Sequence, residues 1–198
     1  MSVRKIPIQN RSVSGRFYSQ KNKQLLDFES QLEKKHYLLL EFNDNVTSYI
    51  PQPLKVEKYI PDILVQRKDN IPLLIEVKYS SEVENADEKL LNKIKVLEQY
   101  CNEHNLEFKI ATEKEIINPY FDNISLIYNY SNITIDNDIK DLIINHIPKS
   151  GITIMELLDK LNNNSYLMYI YHLIFNKVLD INLYQKLNKS SVVRLTNA

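Results

Sequence analysis

The chain has 198 residues, 43% hydrophobic and 25% charged, which suits one ordinary domain, or one medium and one small domain, with a buried core. Twenty-five basic residues balance twenty-five acidic ones, so the overt charge of a dedicated nucleic-acid binder is missing and any such surface must come from local segregation of charge. One cysteine and two glycines exclude an internal disulfide framework, a cysteine zinc site and a glycine-rich phosphate loop.

Residues 1–24 carry Arg4, Lys5, Arg11, Arg16, Lys21 and Lys23 and no acid. They read as a basic arm, either a solvated terminus or a phosphate-contacting one, with Arg4, Lys5, Arg11 and Arg16 as its DNA-binding candidates. No apolar core follows the basic start and no apolar run reaches membrane-spanning length, so a cytoplasmic protein without a membrane partner is expected.

Over 25–42, "LLDFESQLEKKHYLLLEF", Leu25, Phe28, Leu32 and Leu39 fall at helical spacing and predict one amphipathic helix. Glu29, Glu33 and His36 share a neighbouring face of it. "NDN" at 43–45 ends it, and Pro51 and Pro53 hold the next segment extended. Residues 59–66 and 72–79 read as two strands separated by the turn "RKDN". A helix follows, with Leu90, Leu91, Ile94, Leu97 and Cys101 as its stripe and Glu82, Glu84, Asp87 and Glu88 at its positive end. "LEFKIAT" at 106–112 is a further strand, and strand, helix, strand at this spacing predicts a parallel crossover.

Beyond about residue 120 the composition shifts towards Asn, Ile and Tyr. "IDNDIKDLIINHI", "TIMELLDKLNN" and "SYLMYIYHLIFNKVL" read as three helices, the second opened by a Thr153–Glu156 capping box. "INLYQKLNKSSVVRLT" reads as a hairpin. Three short helices and a hairpin resemble a winged-helix domain. The tyrosines here suit core packing better than base stacking, and His172 suits a hydrogen-bonded structural role.

The chemistry is concentrated in "YIPDILVQRKDNIPLLIEVKYS", residues 59–80. Strand side chains alternate faces, so Glu76 and Lys78 project together while Ile75 and Val77 point the other way. Asp62, on the partner strand, can approach Glu76. One reading is an ordinary hairpin with a solvated charged face. The other is a metal site, because two carboxylates and the Val77 carbonyl are the hard oxygens that Mg2+ takes while keeping several waters. Mn2+ would substitute. Lys78 would then position the attacking water and stabilise charge on the phosphorane-like transition state.

"FESQLEKKHYLLLEFNDNVTSYIPQPLKV", "YIPDILV" and "LLIEVK" together resemble the TnsA family of transposon-end endonucleases, in the PD-(D/E)xK superfamily. "RKIPIQNRSVSGRF" is similar to the leader of short members, and "LMYIYHLIFNKVLDINLYQKLNKSSVVRL" to the family's C-terminal region. The resemblance implies an α/β fold: a restriction-endonuclease-like core, a mixed central sheet flanked by helices, over 25–118, after the arm at 1–24 and before a small winged-helix-like α+β domain over 119–198. It implies catalytic roles for Glu33, Asp62, Glu76 and Lys78, with Glu29 the rival to Glu33 as the helix acid. Family members also carry Gln at the position of Glu76. Gln52 matches a recurring family glutamine.

The implied activity is Mg2+-dependent hydrolysis of double-stranded DNA at the 5′ ends of a mobile element. A DDE-type transposase and an AAA+ regulator are the implied partners, in a homo- or hetero-oligomer. Two other readings stand beside it: a non-catalytic DNA- or protein-binding adaptor with a nuclease-like fold, and a phage or mobile-element nuclease outside transposition.

Overall fold

Gly15–Ser19 (β1) and Gln24–Phe28 (β2) form an antiparallel hairpin in the structure, a computed structural model that describes residues 14–68 and 70–196. Two expectations change here. Residues 15–24 are not an arm, and residues 25–28 are not helical. In β2 the burial alternates, with Leu26 and Phe28 inside and Leu25 58% exposed, which is the period of a strand. The helix starts only at Gln31 and runs to Phe42 (α1), with Ser30 as its cap: the Ser30 hydroxyl accepts the Glu33 N–H at 3.1 Å. The hairpin turn is fastened to this helix by Glu41, a buried carboxylate. It accepts from the Ser19 hydroxyl, from the backbone N–H groups of Gln20 and Lys21 at 3.1 Å each, and from the Tyr49 hydroxyl at 2.6 Å. Four donors on one carboxylate repay its burial.

Val46–Pro51 (β3), Ile63–Arg67 (β4), Leu73–Val77 (β5) and Glu107–Ala111 (β6) form a mixed sheet in the order β3-β4-β5-β6. The first two pairings are antiparallel and β5–β6 is parallel, as the crossover spacing requires. The connection runs through Ser80–Glu84 (α2) and Glu88–Glu103 (α3). Asp87 caps α3, accepting the Leu90 N–H at 2.7 Å. Leu74 packs with Val56, Leu97 and Cys101 on the α3 side of the sheet. Ile75, Val65 and Leu73 face His36, Leu39 and Leu40 of α1 on the other. The chain is therefore an α/β protein with a nuclease-like core: a mixed four-stranded sheet with a helix on each face.

The structure divides into two compact units, Met1–Ile117 and Asn118–Ala198. The second unit opens with a helix absent from the sequence reading, Pro119–Tyr128 (α4). Asn118 caps it, accepting the Phe121 N–H at 2.9 Å, and Pro119 occupies the first turn, where its missing N–H costs nothing. Asn137–Asn145 (α5), Ile152–Thr153 (β7), Ile154–Lys160 (α6), Leu167–Phe175 (α7), Leu179–Ile181 (β8) and Val192–Leu195 (β9) follow. The small sheet has the order β7-β9-β8, all antiparallel. Gly151 precedes β7 at φ 86°, and a Cβ there would lie 2.8 Å from the side chains of Val192 and Arg194, so both backbone and space demand glycine. Ile143, Ile154, Leu157, Ile170, Leu173, Leu179 and Val193 form this unit's own buried core. His172 is a structural histidine, its Nδ1 2.8 Å from the Tyr130 carbonyl. Among the described residues no helix is long and apolar enough to cross a membrane.

Candidate active site

Asp62 sits one residue before β4, and Glu76, Val77 and Lys78 sit at the end of β5. The antiparallel register pairs Ile63 with Ile75, so continuing it by one step sets Asp62 opposite Glu76. The Asp62 N–H donates to the Ile75 carbonyl at 3.2 Å, and its carboxylate accepts the Val77 N–H at 2.7 Å. Main chain on both sides therefore fixes this acid.

Glu76 shares the α3 face of β5 with Leu74 and is wholly buried. A buried charge needs partners. Two lysines supply them, and both act on the same oxygen: Lys78 Nζ lies 2.8 Å from Oε1, and Lys93 Nζ also pairs with Oε1. The other oxygen, Oε2, is buried and has no hydrogen-bond partner among the described residues. Lys78 also donates to the Val77 carbonyl at 3.0 Å.

The electrostatics follow from this crowding. Burial, then the charge of Glu76, pushes the Asp62 carboxyl up to about 7 against the pull of Lys78. Burial works to lower the Lys78 ammonium, but Glu76 and Asp62 outweigh it and hold that proton more firmly than usual.

Glu33 comes from the first turn of α1 and is also buried. Its carboxylate accepts the Glu29 N–H at 2.9 Å and the Ser30 hydroxyl at 3.0 Å. Burial raises its pKa, these two bonds lower it, and the charge of Lys78 reaches it. Asp62 in turn feels Glu33. The charge of Glu33 thus belongs to the same field as Asp62 and Lys78, while its oxygens are engaged at the helix start. The position of Glu29 outside α1 removes it from the helix on which it was expected.

Gln52, at the end of β3, is buried in a left-handed conformation at φ 44°. Its N–H donates to the Asp62 carbonyl at 2.8 Å, and its side-chain Oε1 is buried without a partner. It abuts the main chain that carries Asp62.

The other expected residues lie elsewhere or outside view. Arg16 is on β1, paired with Asp27 at 3.3 Å on the hairpin, not on a free arm. Arg4, Lys5 and Arg11 fall outside the described residues. His36 is packed beneath the opposite sheet face, lining a cavity of about 180 Å3 with Ile75 and Arg67, and burial lowers its pKa.

Lys93 is the member that the sequence reading missed. Lys93, Leu97 and Cys101 stand at i, i+4 and i+8 on α3, so a lysine occupies the buried stripe one turn before Leu97. That lysine within an apolar stripe was the available signal. A cleft of about 860 Å3 opens here, lined by four lysines, Lys58, Lys78, Lys89 and Lys93, against two acids, Glu82 and Asp87. Local segregation of basic charge, absent from the net charge, is present in this cleft.

Among the described residues no three His, Cys, Asp or Glu side chains gather as a ready-made metal group. The groups that could hold a divalent cation are Asp62, Glu76 and the Val77 carbonyl. The orphaned Glu76 oxygen, with the half-buried Asp62 carboxylate on the facing position, fits one, since Mg2+ uses one or two carboxylates and keeps waters for the rest.

Two family models match this architecture: TnsA-like endonuclease N terminal over residues 22–113 and TnsA endonuclease C terminal over residues 115–183. The chain belongs to the TnsA endonuclease family. No curated protein matches it. The N-terminal TnsA match contains Glu33, Asp62, Glu76, Lys78 and Lys93, so the whole cluster lies within the first of the two matched regions. The boundary between the two matches, at residues 113–115, lies close to the end of the first compact unit at Ile117. As a TnsA-family chain, the protein is of the Tn7-type transposition endonuclease class.

Proposed function

We propose that the chain is a Mg2+-dependent endonuclease that hydrolyses phosphodiester bonds of double-stranded DNA at the 5′ ends of a mobile element. The observation that carries this reading is the convergence of Asp62 and Lys78 on Glu76, whose second oxygen, Oε2, has no hydrogen-bond partner among the described residues. A decayed site has no reason to keep a buried carboxylate so incompletely satisfied.

Asp62, Glu76 and the Val77 carbonyl are the residues that would hold the cation. Bound there, it would lower the pKa of a coordinated water and offset phosphate charge. Asp62 is held for this role by the Val77 N–H, so its carboxylate arrives pre-oriented. Lys78 holds its proton firmly and lines the cleft, where it would orient the attacking water and stabilise charge on the phosphorane-like transition state. Glu33 adds negative charge from α1, and its bonds to Glu29 and Ser30 keep it in place. Gln52 supports the Asp62 backbone.

The order α5, β7, α6, α7 and the β8–β9 hairpin supports a winged-helix-like role for the second unit, as a docking module for DNA or for the transposition partners. A DDE-type transposase and an AAA+ regulator are the proposed partners.

The test is nicking of labelled element ends in Mg2+ or Mn2+, with and without a cognate transposase, by the wild-type chain and by Asp62→Ala. Metal-dependent cleavage that disappears in the variant supports the enzyme. DNA binding without cleavage in any metal, with or without the transposase, would identify a non-catalytic adaptor instead.

A further inference from the structure

Two ammonium groups share one oxygen of Glu76, and they are not equivalent. Lys78 has a second partner, the Val77 carbonyl. Among the described residues, Lys93 pairs with Glu76 alone. Its side chain is 18% exposed and lines the 860 Å3 cleft with Lys58 and Lys89. It reaches Glu76 from α3, across the packing that joins α3 to β5, so one side chain bridges the site acid and the basic cleft.

Charge counting sets the problem. Glu76 carries one negative charge and faces two positive ones. A divalent cation on the same carboxylate would bring two more positive charges within a few ångströms, in a poorly solvated setting where repulsion is strong. Asp62 and Glu33 offset part of that charge, but the two ammonium groups on Glu76 compete with the cation for the carboxylate itself, so one lysine is expected to yield. Lys78 is tethered to the adjacent carbonyl, whereas Lys93 has an open cleft beside it and a long, flexible stem.

We propose that Lys93 is an exchange residue: it neutralises Glu76 in the cation-free protein, gives up that carboxylate when a divalent cation binds, and turns its ammonium into the adjoining cleft to contact a backbone phosphate of bound DNA. The phosphate half of this inference rests on the endonuclease reading. Lys58 and Lys89 line the same cleft, so the released ammonium joins a lining in which lysines outnumber the two acids, Glu82 and Asp87. The arrangement couples the two ligands. The cation frees a phosphate contact, and DNA draws Lys93 away from the carboxylate that the cation needs.

The experiment uses the full chain and Ca2+ as a probe, with two readouts other than cleavage. The main variant is Lys93→Gln, which keeps a donor for Glu76 and removes only charge. Lys93→Met is the second, for the case in which the first fails to fold. Calorimetric titration without DNA should show Ca2+ binding roughly tenfold tighter in either variant than in wild type, because no charge has to be displaced. Titration of a duplex element end by anisotropy should show the opposite sign. Ca2+ should strengthen DNA binding less in the variants, and the slope of log affinity against log salt, measured with Ca2+, should fall by about one.

Equal or weaker Ca2+ binding in folded variants would overturn the exchange, leaving Lys93 as a structural partner of Glu76. An unchanged salt slope would overturn the phosphate contact. Absence of Ca2+ binding by the wild-type chain would overturn the exchange together with the metal-site reading, an outcome distinct from either of the others.

Discussion

The Asp62 carboxylate accepts the backbone N–H of Val77 at 2.7 Å, which locks the acid before β4 to the end of β5. That bond separates the structural role of Asp62 from its chemical one. Asp62→Asn retains a side-chain oxygen for the Val77 N–H, so the fold and the sheet register survive while the negative charge is lost. Cleavage of a supercoiled or end-labelled substrate should drop to background in this variant, with an unchanged circular dichroism spectrum. Substantial activity in folded Asp62→Asn would remove Asp62 from the site.

The same acid sets a pH dependence of stability. Its carboxyl is raised from the ordinary 3.8 to about 7 by burial and by Glu76. Between those values the folded chain holds a proton that the unfolded chain has lost, so stability falls as pH rises through this window. With chelator present, the melting temperature should be higher at pH 5 than at pH 7.5 from this group. Asp62→Asn should flatten that difference and melt above wild type at pH 7.5. A melting curve for the variant that tracks wild type at every pH would show that Asp62 is not strained in the free protein.

Glu76 should behave in the opposite way. Its Oε1 is the shared anion for Lys78 and Lys93, whose side chains are 25% and 18% exposed. Glu76→Ala leaves both ammonium groups without their buried partner. Breaking a buried pair costs about 3–5 kcal/mol; with both lysines partly solvated, a loss of about 1–3 kcal/mol is expected, read from urea unfolding. Of the two strand acids, one should therefore destabilise the chain when removed and the other stabilise it. A stability gain in Glu76→Ala would contradict the pairing.

The sheet and its acids were legible because their signals are short-range. Alternation placed Glu76 and Lys78 together, and the spacing from 72 to 112 required a parallel crossover. The misread segment, residues 25–28, satisfies two periods at once: Leu25, Phe28 and Leu32 fit a helix, yet Leu26 and Phe28 are the residues that become buried. Pairing of β2 with β1, a tertiary fact, decides between them. The cap at Ser30 was visible in "SQLE" and marks the true helix start. "NP" at 118–119 carries the same kind of signal for α4, a capping Asn followed by a first-turn Pro. Lys93 was hidden because charge within an apolar stripe acquires meaning only when the facing strand is known to carry Glu76. The hydrogen bonds of Glu33 were likewise illegible, since they depend on where the helix begins.

Glu33 and Glu29 can be told apart by experiment. Glu33→Gln keeps one acceptor oxygen, enough for the Glu29 N–H, and its NH2 group can donate to the Ser30 oxygen in place of the bond it no longer accepts, so the helix start should lose about 1 kcal/mol. If the charge of Glu33 tunes Asp62 and Lys78, cleavage should fall by about 10–100-fold, the usual cost of losing a group that supports a metal site. Glu29→Gln, outside the helix, should leave both cleavage and stability near wild type. The reverse pattern would make Glu29 the functional acid and Glu33 only a cap.

The two units should also be separable by truncation. The four-stranded sheet, α1 and α3 all lie within Met1–Ile117, and the cluster of Val56, Leu74, Leu97 and Cys101 draws on no residue beyond it. A chain ending at Ile117 ends on a side chain already 75% exposed. Nothing in α4 is severed, because that helix starts with its own cap at Asn118. Residues 1–117 should therefore unfold cooperatively and bind Ca2+ with the affinity of the whole chain, since Asp62, Glu76, Lys78 and Lys93 are all retained. Residues 118–198, with a smaller core, should fold with lower stability. A molten 1–117 fragment that binds 1-anilinonaphthalene-8-sulfonate would show that the nuclease-like unit depends on the second one for its packing.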